Sequence, residues 1–173
     1  AAYGREKAYV ERVLDAFEAR NPQVRVVRMR PGFIFQRPAA TSQRRIFAGP
    51  LVPNLVARRG LLPRLPLPPG LRFQAVHADD VAEAYRLAVV SPAARGPYNL
   101  AADPVIDGPV LADLLDTVHV TVPRPLVRAA LAAGWRAHLV PAEPALLDLV
   151  LGLPLLDATR ARTDLGWTPT RSA

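Results

Sequence analysis

Between Glu6 and Ala19 the apolar residues Tyr9, Val10, Val13, Leu14 and Phe17 recur at the period of a helix. Asn21-Pro22 ends that stretch, and Val24 to Met29 follows as a run rich in β-branched residues, the composition of a strand. Both faces of this strand carry apolar residues, as in a parallel sheet covered by helices. Pro31-Gly32 then breaks it. Helix, strand and Pro-Gly turn in that order are the mark of an α/β fold, and all-helical and all-β architectures are set aside at once.

The rest of the chain reads coarsely along the same lines. Phe35 to Arg72 holds seven prolines and little periodicity, with a short helix expected near Gln43 to Phe47. Phe73 to Val76 reads as a strand. Asp80 with Glu83 three residues on reads as a capping box opening a helix over 81–90. Tyr98 to Ala101 and Val118 to Val122 read as strands. Helices are expected from Asp107 as cap to about Thr117, over 126–138, over 144–151, and from Asp157 as cap to Gly166. Trp135 and Trp167 are expected to anchor the C-terminal helices to the core.

Composition narrows the function. One of the 22 basic residues is a lysine, Lys7, and it stands four residues after Tyr3. On a helix that spacing puts both side chains on one face. An ammonium beside a phenol favours the phenolate, so the two form a proton-transfer pair; the alternative is a pair of ordinary surface residues in the first turns of a helix. The net charge of +7 points to an acidic partner, nucleic acid or a phosphorylated ligand. The arginines are scattered, with runs no longer than Arg44-Arg45 and Arg58-Arg59, and no aromatics interleave with them to stack bases. That argues against nucleic acid.

The absence of cysteine excludes disulfides and thiolate metal sites and fits a reducing compartment, the cytoplasm. The most apolar late stretch, 139–156, carries Glu143, Asp148 and three prolines, so packed helices are expected there and no membrane span. Asp79 and Asp80 lack a third oxygen ligand in the sequence, so no metal site is assigned.

Four segments, taken in order, carry a family resemblance. They are Tyr3-x-x-x-Lys7 opening a helix that carries Glu11; Val27-Arg28-Met29-Arg30-Pro31-Gly32-Phe33-Ile34 at a strand end; Arg72 to Ala84 with its His77-Ala78-Asp79-Asp80; and Gly96 to Ala101 with Thr163 to Pro169 near the end. Each alone is weak. Together they span nearly the whole chain, and it resembles the C-terminal part of an extended short-chain dehydrogenase/reductase, the NAD-dependent epimerase/dehydratase family.

The resemblance implies an α/β fold made of the C-terminal portion of a Rossmann-like doubly wound sheet plus a small, mixed, mainly helical substrate-binding region. Residues 1–36 would end the Rossmann-like domain, 37–72 would form the variable substrate-binding segment, and 73–173 would supply the remaining strands and the helical region. It implies NAD or NADP as cofactor. Tyr3 would be the general acid/base, and Lys7 would assist it and bond the nicotinamide ribose. Pro31, Gly32, Phe33 and Ile34 would lie against the nicotinamide. Arg44, Arg45 and Arg72, in or beside that variable segment, would either read a nucleotide-linked or otherwise anionic small molecule or be solvated at the surface. His77, at a strand end before two aspartates, would either orient the Asp80 cap or contact that substrate, the structural role being preferred.

The departures are as informative. The family holds its dinucleotide on a Gly-rich turn, and the ten glycines here are dispersed with no G-x-G-x-x-G. The family's serine or threonine before the tyrosine has no place, since Ala1-Ala2 alone precede Tyr3. The expectation is a fragment, inactive alone, whose partner is the missing N-terminal half of the same protein. Its first strand and helix would then show an unpaired edge and an apolar face. A homodimer through the Tyr3 helix is also expected. The competing readings are a non-catalytic binding or regulatory protein of the same fold and, further off, a basic nucleic-acid-binding domain.

Overall fold

The computed structural model describes residues 2–36, 63–141 and 143–171, with the backbone alone for Ala2 and Tyr3. The chain divides into two compact units: Ala1–Phe35, Gln74–Pro104 and Leu155–Ala173 in the first, Gln36–Phe73 and Val105–Pro154 in the second. Residues 73–173 thus contribute to both.

In the first unit, helix α1 (Ala2–Arg20) leads to strand β1 (Val27–Pro31) and, after Gly32, to β2 (Phe33–Phe35). Asn21 ends α1, its backbone N–H reaching Phe17 O at 3.0 Å and its side chain the same carbonyl at 2.8 Å. β1 begins three residues later than expected. Val24 N instead closes a turn onto Asn21 O at 2.9 Å, and the Arg25 guanidinium donates to Ala88 O, Ser91 O and Val89 O at 2.6, 2.9 and 3.2 Å, closing the end of helix α2 (Ala78–Val90). β1 pairs in parallel with β6 (Gly96–Leu100), Val27 opposite Gly96. β2 pairs in parallel with β5 (Ala75–His77), Phe33 opposite Ala75.

The core of this unit lies between α2, β6 and helix α6 (Thr159–Leu165). Val76, Val81, Ala84, Ala88, Tyr98, Leu100, Ala161, Leu165 and Trp167 form it, with Val27 and Met29 packed against it. Trp167 is fully buried, and its indole Nε1 donates to Asp80 O at 2.8 Å, so this tryptophan is the expected anchor. Gly166 ends α6 in the left-handed region at φ 64°, the conformation glycine adopts most cheaply. Ala158, not Asp157, holds the cap position of α6; Asp157 stands one residue earlier and accepts from Thr159 N at 2.8 Å, a local turn bond ahead of the helix. Asp80, however, is not a cap. His77 holds that position, accepting from Asp79 N, and Asp80 lies within the first turn with its carboxylate turned to the chain end.

In the second unit, β3 (Arg64–Leu67) pairs in parallel with β8 (Val118–Thr121), and β4 (Arg72–Phe73) pairs antiparallel with β7 (Ile106–Asp107). β3 was not anticipated, and the single strand expected over 73–76 is two, β4 and β5, one in each unit and separated by Gln74. Asp107 caps helix α3 (Gly108–Leu115) as expected, accepting from Val110 N at 3.0 Å. Helices α4 (Arg124–Arg136) and α5 (Pro144–Leu151) are joined by Arg128 Nε to Asp148 Oδ2 at 3.1 Å. Trp135 is 45 % exposed and is not among the buried core residues, which corrects the expectation for it. The short helix expected near 43–47 lies outside the described residues.

Candidate active site

Helix α1 carries Tyr3 and Lys7 one turn apart, with Glu11 a further turn on. Glu11, Asp15 and Glu18 form an acidic stripe at i, i+4 and i+7. It meets two arginines on β1. Strand alternation sends Val27 and Met29 to the core, and Arg28 and Arg30 to the opposite face. Arg28 Nη1 bonds Glu11 Oε2 at 3.0 Å and Asp15 Oδ1 at 2.6 Å, and its Nη2 bonds Glu18 Oε2 at 3.2 Å. Arg30 Nε donates to Glu11 Oε1 at 3.0 Å, and its Nη2 to Glu11 Oε2. The Arg30 bond holds the Glu11 carboxyl below its ordinary range; burial opposes this, and Arg28 reinforces it. Arg28 Nε is buried and has no acceptor among the described residues.

One residue past Arg30 the chain turns. Gly32 N donates to Leu100 O at 2.9 Å and Phe33 N to Gln74 O at 2.9 Å, so the backbone passes from the end of β6 to the start of β5 in a single step. A Cβ on Gly32 would stand 2.6 Å from Gln74 O, so no other residue fits without moving backbone. Gln74 is itself fixed, donating to Leu156 O at 3.1 Å and accepting from Leu156 N at 2.6 Å. The turn therefore sits rigidly at the carboxyl end of β1, the edge where open α/β sheets bind ligands. Beyond it Ile34 is 39 % exposed, and the Phe33 and Phe35 rings stand 6.5 Å apart.

His77 lies opposite Phe35 in the β2–β5 register. Its Nδ1 accepts from Asp79 N at 3.2 Å and faces Arg171 Nη1 at 3.2 Å. Those contacts give it a capping role. Arg72 is exposed at the start of β4, in the second unit. Arg44 and Arg45 lie outside the described residues, as does the side chain of Tyr3. Among the described residues no group of three or more His, Cys, Asp and Glu stands close enough to hold a metal, and no helix is long and apolar enough to cross a membrane.

Sequence reading missed the ionic seam between α1 and β1. Its signal was present, an acidic i, i+4, i+7 stripe set against alternating arginines in the following strand. It missed the role of Asp80 altogether. That carboxylate accepts from Thr170 N at 3.0 Å, Thr170 Oγ1 at 2.7 Å and Arg171 N at 3.3 Å. Opposite the acidic stripe, Tyr9, Val10, Val13 and Phe17 are 41 to 63 % exposed, the apolar face expected of α1.

No protein-family model and no curated protein matches this sequence. Solved structures do match its fold. One is the UDP-N-acetylglucosamine 4-epimerase from Bacillus cereus, at TM-score 0.56 and 10 % identity over 98 % of this chain and 49 % of that one. MoeE5 in complex with UDP-glucose and NAD matches at 0.54 and 18 %, over 99 % and 51 %. Gox2253 matches at 0.56 and 17 %, over 95 % and 49 %. The chain thus spans about half the length of the solved structures it matches. The likeness establishes the fold: mixed α/β, matching the C-terminal part of a Rossmann-like fold.

Proposed function

We propose that this chain supplies the acid–base helix and the substrate-reading part of an NAD(P)-dependent epimerase, dehydratase or reductase. The observation that carries the reading is the Tyr3/Lys7 helix tied through Glu11 to the strand that turns at Pro31-Gly32. The fold supports it, because two of the matching structures hold NAD with UDP-glucose or UDP-glucuronic acid.

Tyr3 gives or takes the proton of a substrate hydroxyl or carbonyl oxygen. Lys7 favours the phenolate by its charge and donates to the nicotinamide ribose. The turn from Pro31 to Ile34, held rigid by the close packing of Gly32 on the Gln74 backbone, forms one wall of the nicotinamide site. A bound nicotinamide dinucleotide would supply the acceptor and donor of hydride. Arg44, Arg45 and Arg72 read an anionic, nucleotide-linked substrate, with residues 37–72 as the specificity segment. Holding the pyrophosphate needs a Gly-rich turn that these 173 residues do not contain, and on this reading they do not turn over by themselves. The exposed face of α1 serves a homodimer, and the cysteine-free sequence suits the cytoplasm.

The test is Tyr3→Phe in the full-length protein, assayed with UDP-sugars and NAD(H) or NADP(H). Turnover should fall by about 10² to 10⁴ while cofactor affinity stays nearly unchanged. Wild-type turnover in that variant contradicts the proposal.

A further inference from the structure

We propose that Glu11 is a positioning residue for the reaction, setting the register of the Tyr3/Lys7 helix on strand β1; the inference rests on the function proposed above. α1 is held to β1 by ionic contacts from its acidic stripe, while Tyr9, Val10, Val13 and Phe17 point elsewhere and stand exposed. Among the described residues Glu11 is the seam carboxylate that hydrogen-bonds both arginines. Asp15 and Glu18 touch Arg28 only.

Glu11 grips Arg30 with both oxygens, and a two-pronged carboxylate–guanidinium pair fixes orientation as well as distance. The strand is itself fixed, since Met29 between the two arginines packs against the core and the Arg28 side chain is only 10 % exposed, while that of Arg30 is 41 % exposed and takes its orientation from Glu11. The seam also lies where a displacement matters most. Lys7 is one turn, about 6 Å of helix rise, before Glu11. Arg30 is the residue before Pro31, where the turn begins. The Glu11–Arg30 pair thus bridges the helix of the acid–base pair to the strand that leads into the wall it must face, and a misplacement of about 1 Å there can cost about 100-fold in rate.

The experiment compares wild type, Tyr3→Phe, Glu11→Gln and the charge swap Glu11→Arg/Arg30→Glu in the full-length protein. It reads kcat, KM, cofactor affinity, thermal midpoint and hydrogen exchange of the α1 amides. Glu11→Gln should lower kcat at least about tenfold, with KM and cofactor affinity within about twofold. It should speed exchange along α1, and the swap should reverse both changes in part. A kcat within twofold of wild type overturns the proposal. So does a loss that follows the thermal midpoint and is not recovered by the swap. If Tyr3→Phe turns over normally the catalytic reading falls by itself; faster α1 exchange in Glu11→Gln, reversed by the swap, would still support the register role, and unchanged exchange would overturn it.

Discussion

Replacing Asp80 should loosen the end of the chain by an amount that can be worked out in advance. The residue is 4 % exposed, and its carboxylate accepts two bonds from Thr170 and one from Arg171. Thr170 and Arg171 are exposed, so their freed donors would return to water and the loss stays near that of one or two bonds to a charged group. Asp80→Ala should cost about 2–3 kcal/mol. Asp80→Asn keeps one accepting oxygen and should cost about 1 kcal/mol. For a chain of this length the midpoints should fall by about 5–10 °C and about 2–4 °C, read by circular dichroism at pH 7.

Acid should close the gap. Burial alone would raise this carboxyl, but the bonds from Thr170, with those of Arg171, outweigh it and hold it below its ordinary value. A lowered folded value means the stabilisation is present above the unfolded carboxyl range and is lost as pH falls through the folded one. Wild type and Asp80→Ala should therefore converge in strong acid. A midpoint for Asp80→Ala within 1 °C of wild type at pH 7, or a gap that does not shrink on acidification, refutes the reasoning.

Two further outcomes are expected. Gly32→Ala should destabilise by about 1–3 kcal/mol in urea unfolding, because the new Cβ meets Gln74 O at 2.6 Å and Gln74 is held by Leu156; an unchanged midpoint contradicts the packing described. The 173-residue chain should self-associate through Tyr9, Val13 and Phe17, and Val13→Lys with Phe17→Lys should reduce this in sedimentation velocity. A wild-type chain that stays monomeric at high concentration counts against that face as an interface.

Local chemistry was readable where it acts locally. Helix α5 falls on its expected 144–151 because Pro144 and Gly152 bracket it, and Asp107 and Gly166 do at α3 and α6 what a cap and a left-handed glycine do anywhere. What failed depended on distant partners. Val24 to Val26 looks like strand until Val24 N turns back onto Asn21 O and Arg25 reaches the end of α2. Asp80 looks like a cap until Thr170, ninety residues on, claims it. β3 contains Pro66 and becomes a strand only because Val118–Thr121 lies beside it. The candidate site divides in the same way. The Tyr3/Lys7 spacing is a helical property and was legible; the seam that orients their helix pairs residues up to 19 positions apart and was not.

The most direct measurement is a crystal structure of the full-length protein with NAD(H) bound. A ribose hydroxyl should lie within hydrogen-bond reach of Lys7 Nζ, the nicotinamide ring against the turn from Pro31 to Ile34, and the Tyr3 hydroxyl on the substrate side of that ring. A dinucleotide bound away from α1 and that turn, in protein that turns over, would contradict that arrangement.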